Sequence, residues 1–201
     1  VARLCHSSPH TCGVDTRPQR SPSIISNVTR PGGATPDFAV EIYYEAILSW
    51  HFTCPVPADD YRDMIYMPDA LRACVELMEA DPSKLVHRNS FNIASMSFTP
   101  EIIYAEIRKR LPDFKMNYDI DPVKREIAES WPNSLDDTCA REEWGWKPEW
   151  DLSRMYREMR GHIRYKLGKT GSLARQVKTR TAVVAGFLLR RLFCMHRTGK
   201  S

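Results

Sequence analysis

A glycine-rich turn followed by a threonine and an aspartate is one place where this sequence could hold a polar ligand. The turn at residues 31–34 reads Pro-Gly-Gly-Ala, which lets backbone approach another molecule closely. The hydroxyl of Thr35 and the carboxylate of Asp37 would then face that ligand. Alternatively, Thr35 caps the next helix, with Pro36 at its first position, and Asp37 favours the helix dipole. Spacing alone favours this structural interpretation.

A second group of reactive side chains lies near the N-terminus. Cys5, His6, His10 and Cys12 are residue types that bind zinc. No second ligand pair follows at a finger-like spacing, and the segment around them has no apolar periodicity. We therefore expect no metal site, and we predict that residues 1–20 are unstructured.

Residues 130–150 are the most distinctive stretch, because they contain four of the five tryptophans. Asp136 or Asp137 is placed to cap a short helix that Gly145 ends. Asp151 is placed to cap the next helix, whose apolar residues fall on one face. The tryptophans are thus predicted to form an aromatic subcore that pins two helices together.

Composition places the chain among globular proteins of about one domain. It has 201 residues, 42% of them hydrophobic, and a net charge of +4. The charge is uneven, since residues 159–201 carry 11 Lys and Arg and no acidic residue. No apolar run approaches the length of a bilayer. The six cysteines lack a close C-x-x-C pairing, which favours a reducing compartment.

Strand and helix patterns alternate along the chain and predict an α/β or α+β fold. Strands are expected at residues 23–25, 64–67, 90–95 and 115–120, and helices begin near residues 35, 69, 99, 123, 138 and 151. The stretch from His51 to Asp60 has no assigned element. The helix from Asp69 is expected to bury four residues, Leu71, Cys74, Val75 and Met78.

Several motifs together resemble a known enzyme family. Residues 62–73 are similar to the R-D-x-I-Y-x-x-D-x-x-R-A segment of extended short-chain dehydrogenases/reductases. The run from Ser90 to Trp150 resembles the C-terminal half of the mitochondrial-type L-threonine 3-dehydrogenases. Residues 21–39 resemble that family's strand end and substrate loop, usually P-G-I-I-S followed by P-G-G-G-T-T-D-Y-A. The resemblance covers about residues 21–168.

The resemblance implies a fold and a reaction. The fold would be a partial Rossmann-like α/β structure that lacks the nucleotide-binding half and consists mostly of the C-terminal α+β substrate lobe, residues 21–168. Residues 1–20 would be a disordered segment and residues 169–201 a basic, flexible tail. The family oxidises L-threonine to 2-amino-3-oxobutanoate with NAD, and it implies a mitochondrial location, with the cytoplasm as the alternative.

The same resemblance carries over a few site residues. Ile24 would contact the nicotinamide through its backbone, although Ser23 replaces the usual glycine. Thr35, Asp37 and Trp131 would bind substrate. Pro36 replaces the second threonine of the loop and removes a hydroxyl and an N–H donor.

The chemistry also requires a base and a dinucleotide cradle, which we do not find in residues 21–168. Alkoxide formation calls for the tyrosine of a Y-x-x-x-K pair, and the pyrophosphate calls for a G-x-x-G-x-x-G turn after a strand, whereas Gly32-Gly33 belongs to the substrate loop of the resemblance. We therefore expect no catalytic residue, no bound NAD and a truncated, inactive homologue.

Two alternatives stay open. The chain could be a fragment of an active dehydrogenase, or a non-catalytic lobe that forms a homo-oligomer or docks on a full-length homologue. We expect no nucleic-acid partner and no membrane contact from the basic tail, because charge alone is a permissive signal.

Overall fold

The computed structural model describes residues 13–28, 31–32, 34–87 and 90–169. The Cys5–Cys12 group, Gly33 and the tail beyond Lys169 lie outside the described residues. Within the described residues, seven short strands form three small sheets, and the predicted α/β class is confirmed. The strands are β1 (Gln19–Arg20), β2 (Ser23–Ile25), β3 (His51–Cys54), β4 (Arg62–Tyr66), β5 (Phe91–Asn92), β6 (Met96–Phe98) and β7 (Lys115–Tyr118).

Most strand pairs are parallel. The pairs β1–β5, β2–β4 and β3–β7 run parallel, and β6 lies antiparallel on the other edge of β4. Ile24 is aligned with Ile65 in the β2–β4 pair. The central sheet therefore brings the end of β2 beside the end of β4, where the next helix begins.

Six α-helices and one 3₁₀ turn, Thr35–Asp37, surround these sheets in the described chain. The helices are α1 (Phe38–Leu48), α2 (Met67–Glu79), α3 (Pro100–Arg108), α4 (Pro122–Glu129), α5 (Thr138–Trp144) and α6 (Leu152–Lys169). Side-chain oxygens cap several of them: Thr99 Oγ1 accepts from Ile102 N–H, and Asp151 Oδ1 accepts from Arg154 N–H at 2.6 Å. Gly145 ends α5 in the left-handed region with φ 78°, as predicted.

The larger core lies where α1, α3 and α6 pack together. The predicted apolar face of α6 is buried there together with most of α1, and Tyr43 and Tyr156 are in ring contact at 5.9 Å between centroids. The buried residues of these two helices include Phe38, Ala39, Ile42, Tyr43, Ala46, Met155, Tyr156, Met159, Ile163 and Leu167. Period-3.6 patterning thus identified the faces that hold this core.

A second core holds the tryptophan-rich stretch. Trp146 is buried among residues of α2, β4, β5 and α5, and its indole Nε1–H donates to Ala94 O at 3.0 Å. Trp144 contacts both Trp146 and Phe91 through ring edges or tilted faces. The predicted aromatic subcore is confirmed for Trp144 and Trp146 only, and it links α5 to α2. Trp150 packs against the larger core instead, and Trp131 is 38% exposed.

A fully buried carboxylate joins this stretch to α2. Asp69 accepts hydrogen bonds from the backbone N–H groups of Glu149 and Trp150, the latter at 3.0 Å, and from Arg72 Nη2 at 2.9 Å. Arg72 also donates to Lys147 O at 2.6 Å and lies over the Trp146 ring. Asp69 therefore fixes the extended segment between α5 and α6.

The predicted buried face of α2 is wrong. Ala70, Ala73 and Leu77 face the core with Asp69, whereas Leu71, Val75 and Met78 are 60%, 46% and 66% exposed and Cys74 is exposed as well. The helix begins at Met67, and the bonds of Asp69 to the 149–150 backbone set its rotation about its axis. The larger apolar residues are left facing solvent.

The prediction that residues 1–20 are unstructured is wrong for residues 19–20, because Gln19 and Arg20 form β1 beside β5. Arg17 holds this N-terminal segment against α2, since its Nη1 donates to the carbonyls of Leu77, Met78 and Ala80 at 2.7–2.8 Å. A cation thereby satisfies carbonyl groups at the C-terminal end of α2.

Strand boundaries also differ from the pattern-based expectations. The unassigned stretch contains β3, the predicted strand 64–67 begins and ends earlier as β4, and residues 90–95 hold only the two-residue strand β5. Within the described residues, the helices are all too short or too polar to cross a lipid bilayer.

Replacing Asp69 should test its anchoring role. Asp69→Ala leaves the Glu149 and Trp150 N–H groups without their buried acceptor, so we expect a loss of roughly 3 kcal/mol in the free energy of unfolding. Urea denaturation followed by tryptophan fluorescence measures it. Asp81→Ala is the control, because Asp81 bonds only to nearby Ser83 at the surface, and it should cost far less. Equal effects would contradict the assignment.

Candidate functional site

The loop before α1 is held in shape by Asp37. Its Oδ2 accepts hydrogen bonds from Gly32 N–H at 2.8 Å and Ala34 N–H at 2.9 Å. Both donors belong to the glycine-rich turn, so the carboxylate closes that turn onto itself. Asp37 is only partly buried, and it remains at the surface of the loop.

Thr35 does not have the helix-capping role expected for it. The 3₁₀ turn begins at Thr35 itself, its N-cap is Ala34, and no side-chain cap bond is formed. Thr35 is 8% exposed, and Pro36 follows it inside the turn. The expectation of a Thr35 cap is wrong because Asp37, two residues later, binds the free N–H groups of this loop.

Ile24 lies in the middle of β2 with its side chain 45% exposed, while Ile25 is buried. Two residues beyond the end of β2, Asn27 Nδ2 donates to Tyr66 Oη at 2.8 Å. Lys166 Nζ, from α6, donates to the carbonyls of Asn27 and Val28. These contacts fix the exit of β2. Sequence patterning did not find them because Tyr66 and Lys166 are distant from Asn27 along the chain.

Tyr66 is a titratable group at this exit. Burial raises the pKa of its phenol to about 12, against a smaller lowering by the hydrogen bond from Asn27. The phenol therefore stays protonated near neutral pH, where it accepts from Asn27 and packs edge-on against Trp150 at 4.8 Å. Tyr66 stabilises the strand exit and is neutral there.

Trp131 follows α4 and is 38% exposed. The Arg62 guanidinium lies 5.9 Å from its ring centroid, a cation–π contact. Arg62 is buried and forms a two-point ion pair with Asp60, with Nε–Oδ2 at 3.0 Å and Nη2–Oδ1 at 2.5 Å. Its Nη1 is buried and has no hydrogen-bond partner in the described part of the chain. Arg62 thus supports one face of Trp131.

The four predicted site residues lie on three neighbouring parts of the fold. Helix α4 packs on the 3₁₀ turn of Thr35 and Asp37, and Trp131 follows the C-terminal end of α4. No hydrogen bond, ion pair or ring contact joins any two of Ile24, Thr35, Asp37 and Trp131 in the segments that the structure describes. The structure therefore places Thr35 and Asp37 against α4, which ends two residues before Trp131, and it shows no direct contact that joins Ile24 to them in the described segments.

A cavity of about 460 Å³ opens beside α4. Its walls carry carboxylates and one guanidinium, and Arg125 and Glu129 form an ion pair at 2.7 Å along α4. The polar lining residues are Asp59, Asp60, Tyr61, Arg125, Glu129 and Asn133. Asp60 contributes to both this cavity and the Arg62 ion pair, so the cavity borders the Trp131 region.

One described group of side chains has the donor types of a metal site. His87, Cys139 and Glu143 lie together near the second core, away from the four residues predicted to bind cofactor and substrate. Sequence spacing did not indicate this group, because His87 is more than fifty residues from the other two.

The curated proteins similar to this chain are uncharacterized epimerase/dehydratases. The chain is 46% identical over 156 residues to an uncharacterized epimerase/dehydratase of Staphylococcus saprophyticus, a match that covers 78% of this chain. It spans about half the length of such curated relatives, 49% in this case. No protein-family model matches the chain.

Solved structures similar to this chain include L-threonine dehydrogenases. The L-threonine dehydrogenase of Clostridium difficile is 48% identical with a TM-score of 0.79, covering 82% of this chain and 52% of that one. The L-threonine dehydrogenase of Phytophthora infestans is 41% identical with a TM-score of 0.79, covering 83% and 53%. By structure, the chain is similar to L-threonine dehydrogenases, and its curated relatives are epimerase/dehydratases.

Removing the Asp37 carboxylate should loosen the candidate loop. Asp37→Ala leaves the Gly32 and Ala34 N–H groups to water, so we expect a loss of about 1 kcal/mol in unfolding free energy. Limited proteolysis should cut residues 26–37 faster than in the parent. Asp59→Ala, an exposed carboxylate in the adjoining cavity, should leave that cleavage rate unchanged; unchanged cleavage in Asp37→Ala would show that the loop does not depend on this residue.

Proposed function

We propose that this chain is the substrate-binding half of an NAD-dependent L-threonine 3-dehydrogenase-like protein. The observation that carries the proposal is the match to the Clostridium difficile L-threonine dehydrogenase at 48% identity over 82% of this chain. Under this proposal, Thr35, Asp37 and Trp131 face L-threonine, and the backbone of Ile24 faces the nicotinamide. From the resemblance of residues 21–168 to the mitochondrial-type family, we also propose a mitochondrial location, with the cytoplasm as the alternative.

The chemistry of threonine is compatible with these side chains. The substrate carries an ammonium group, a hydroxyl and a carboxylate. The Asp37 carboxylate suits the ammonium, the Thr35 hydroxyl suits a polar group, and the Trp131 ring suits a cation or the methyl group.

Oxidation of the substrate hydroxyl requires groups beyond these. Hydride passes to NAD while a base removes the hydroxyl proton, and the dinucleotide needs backbone N–H groups at a helix N-terminus. Residues 21–168 hold no G-x-x-G-x-x-G dinucleotide turn, and the Y-x-x-x-K spacing of the sequence, Tyr165 with Lys169, lies at the C-terminal end of α6. We therefore propose that the chain by itself neither binds NAD nor turns over threonine.

A fusion protein tests this function. The nucleotide-binding half of the Clostridium difficile enzyme, joined to this chain, should produce NADH with L-threonine, whereas the chain alone should not. In the fusion, Pro36→Thr should raise kcat/KM about tenfold, the effect of one restored hydrogen bond. Trp131→Phe should lower kcat/KM, and Trp50→Phe should not, because Trp50 lies beyond α1.

The outcomes separate the two parts of the proposal. Turnover by the chain alone would refute its inactivity. A folded fusion that binds NAD but does not oxidise threonine would refute the substrate assignment.

A second candidate function is a lobe that docks on a full-length homologue. The exposed apolar face of α2 favours it, because Leu71, Cys74, Val75 and Met78 follow the i, i+3, i+4, i+7 spacing of a helix that covers a partner.

Association should then depend on this face. Sedimentation velocity of the chain mixed with the full-length Clostridium difficile enzyme should give a complex, and Leu71→Glu with Met78→Glu should abolish it. Val123→Glu, an exposed apolar residue on α4, is the control and should leave it intact. A complex that survives the α2 double variant would rule out this face as the docking surface.

A further inference from the structure

Three side chains of different chemistry meet beside the second core. His87 Nδ1, Cys139 Sγ and a Glu143 carboxylate oxygen all lie within 4.8 Å of one another. Cys139 and Glu143 are four residues apart on α5, so they project from the same helix face. His87 comes from the segment between α2 and β5. The group therefore joins a helix to a loop that is distant in sequence.

Glu143 is held in place before any ligand binds. Its carboxylate is 9% exposed, and Oε2 accepts from Val86 N–H at 2.6 Å and His87 N–H at 3.0 Å. The other oxygen, Oε1, contacts His87 Nδ1. Burial works to raise the pKa of Glu143, but the hydrogen bonds from His87 and Val86 outweigh it and hold the pKa below its usual value. The carboxylate is thus ionised and oriented toward the imidazole.

We propose that His87 Nδ1, Cys139 Sγ and Glu143 Oε1 bind a zinc ion, with water as the fourth ligand. Imidazole, thiolate and carboxylate are the donor set that zinc accepts, whereas calcium and magnesium prefer oxygen alone. Bonds of about 2.0–2.3 Å place tetrahedral ligands roughly 3.3–3.8 Å apart. The existing spacing therefore needs only small side-chain movements, and the half-exposed His87 ring has room to make them.

The backbone bonds to Glu143 Oε2 would orient this ligand, as outer hydrogen bonds do in zinc proteins. Binding replaces the His87–Glu143 contact and releases the thiol proton of Cys139. The metal would then tie residues 85–87 to α5 and hold two walls of the second core together.

A second histidine–carboxylate pair, on α6, has no cysteine beside it in the described groups of metal-ligand side chains. On α6, His162 Nδ1 lies 3.1 Å from Glu158 Oε1, and these two residues are four positions apart on one helix. That pair is half-exposed, and it belongs to no group of three metal-ligand side chains among the described residues. It provides a matched control with the same histidine–carboxylate chemistry and no thiol.

The full-length chain, reduced and freed of metal with a chelator, is titrated with cobalt(II) and then with zinc in competition with a chromophoric chelator. We expect one tight equivalent, a thiolate-to-cobalt charge-transfer band, and a rise in thermal midpoint with zinc. Cys139→Ser should remove the band, and Cys139→Ser or His87→Gln should weaken zinc binding at least about tenfold. Both positions are partly exposed, so the variants should fold, and circular dichroism verifies it.

Controls decide the location of the bound ion. His162→Gln, Cys74→Ser and the double variant Cys5→Ser with Cys12→Ser should keep the tight equivalent and its band. Retention of binding in Cys139→Ser together with its loss in the Cys5/Cys12 variant would overturn the proposal, as would the absence of any tight equivalent in the parent. None of these readouts depends on dehydrogenase activity.

Discussion

The burial of the Asp69 carboxylate is the constraint on which much of this structure depends. A charge can remain in a protein interior only where donors surround it, and here they come from Arg72 and from the backbone of Glu149 and Trp150. Because the two backbone donors lie about eighty residues away, satisfying Asp69 also fixes a long-range contact. The rotation of α2 and the path of the segment entering α6 follow from this one requirement.

Aromatic and cationic side chains extend that contact across the molecule. Arg72 lies over Trp146, and Arg154 from α6 lies 4.1 Å from the Trp150 ring centroid. Trp150 also meets Tyr66, which holds the exit of β2 through Asn27. The tryptophan-rich stretch therefore connects the second core to the region of the candidate site. Its residues are mainly structural, and Trp131 is the member placed beside the cavity.

Sequence patterns predicted the elements whose apolar residues mark only one face. The core side of α6 is an example, since its opposite side is polar. Helix α1 is instead apolar around most of its circumference, and Val40 and Tyr44 are buried in addition to the patterned face. Helix α2 has two apolar faces, a small one of Ala70, Ala73 and Leu77 and a larger one of Leu71, Val75 and Met78. Periodicity selects the larger face, while the structure buries the smaller one because Asp69 lies on it. Strand β1 was missed for a related reason, since two residues pair only where a distant partner lies beside them.

The candidate site divides in the same way between local and long-range causes. The motif around Asp37 was visible in sequence, yet its hydrogen bonds to Gly32 and Ala34 depend on how the loop closes. A carboxylate has about four acceptor positions, so two backbone bonds leave capacity for a cationic group. Asp69 has used this capacity on buried donors and is closed to ligands, whereas Asp37 is partly exposed. Burial, rather than residue type or hydrogen bonding, therefore distinguishes a carboxylate that only stabilises the fold from one that stabilises a loop and can still bind a substrate.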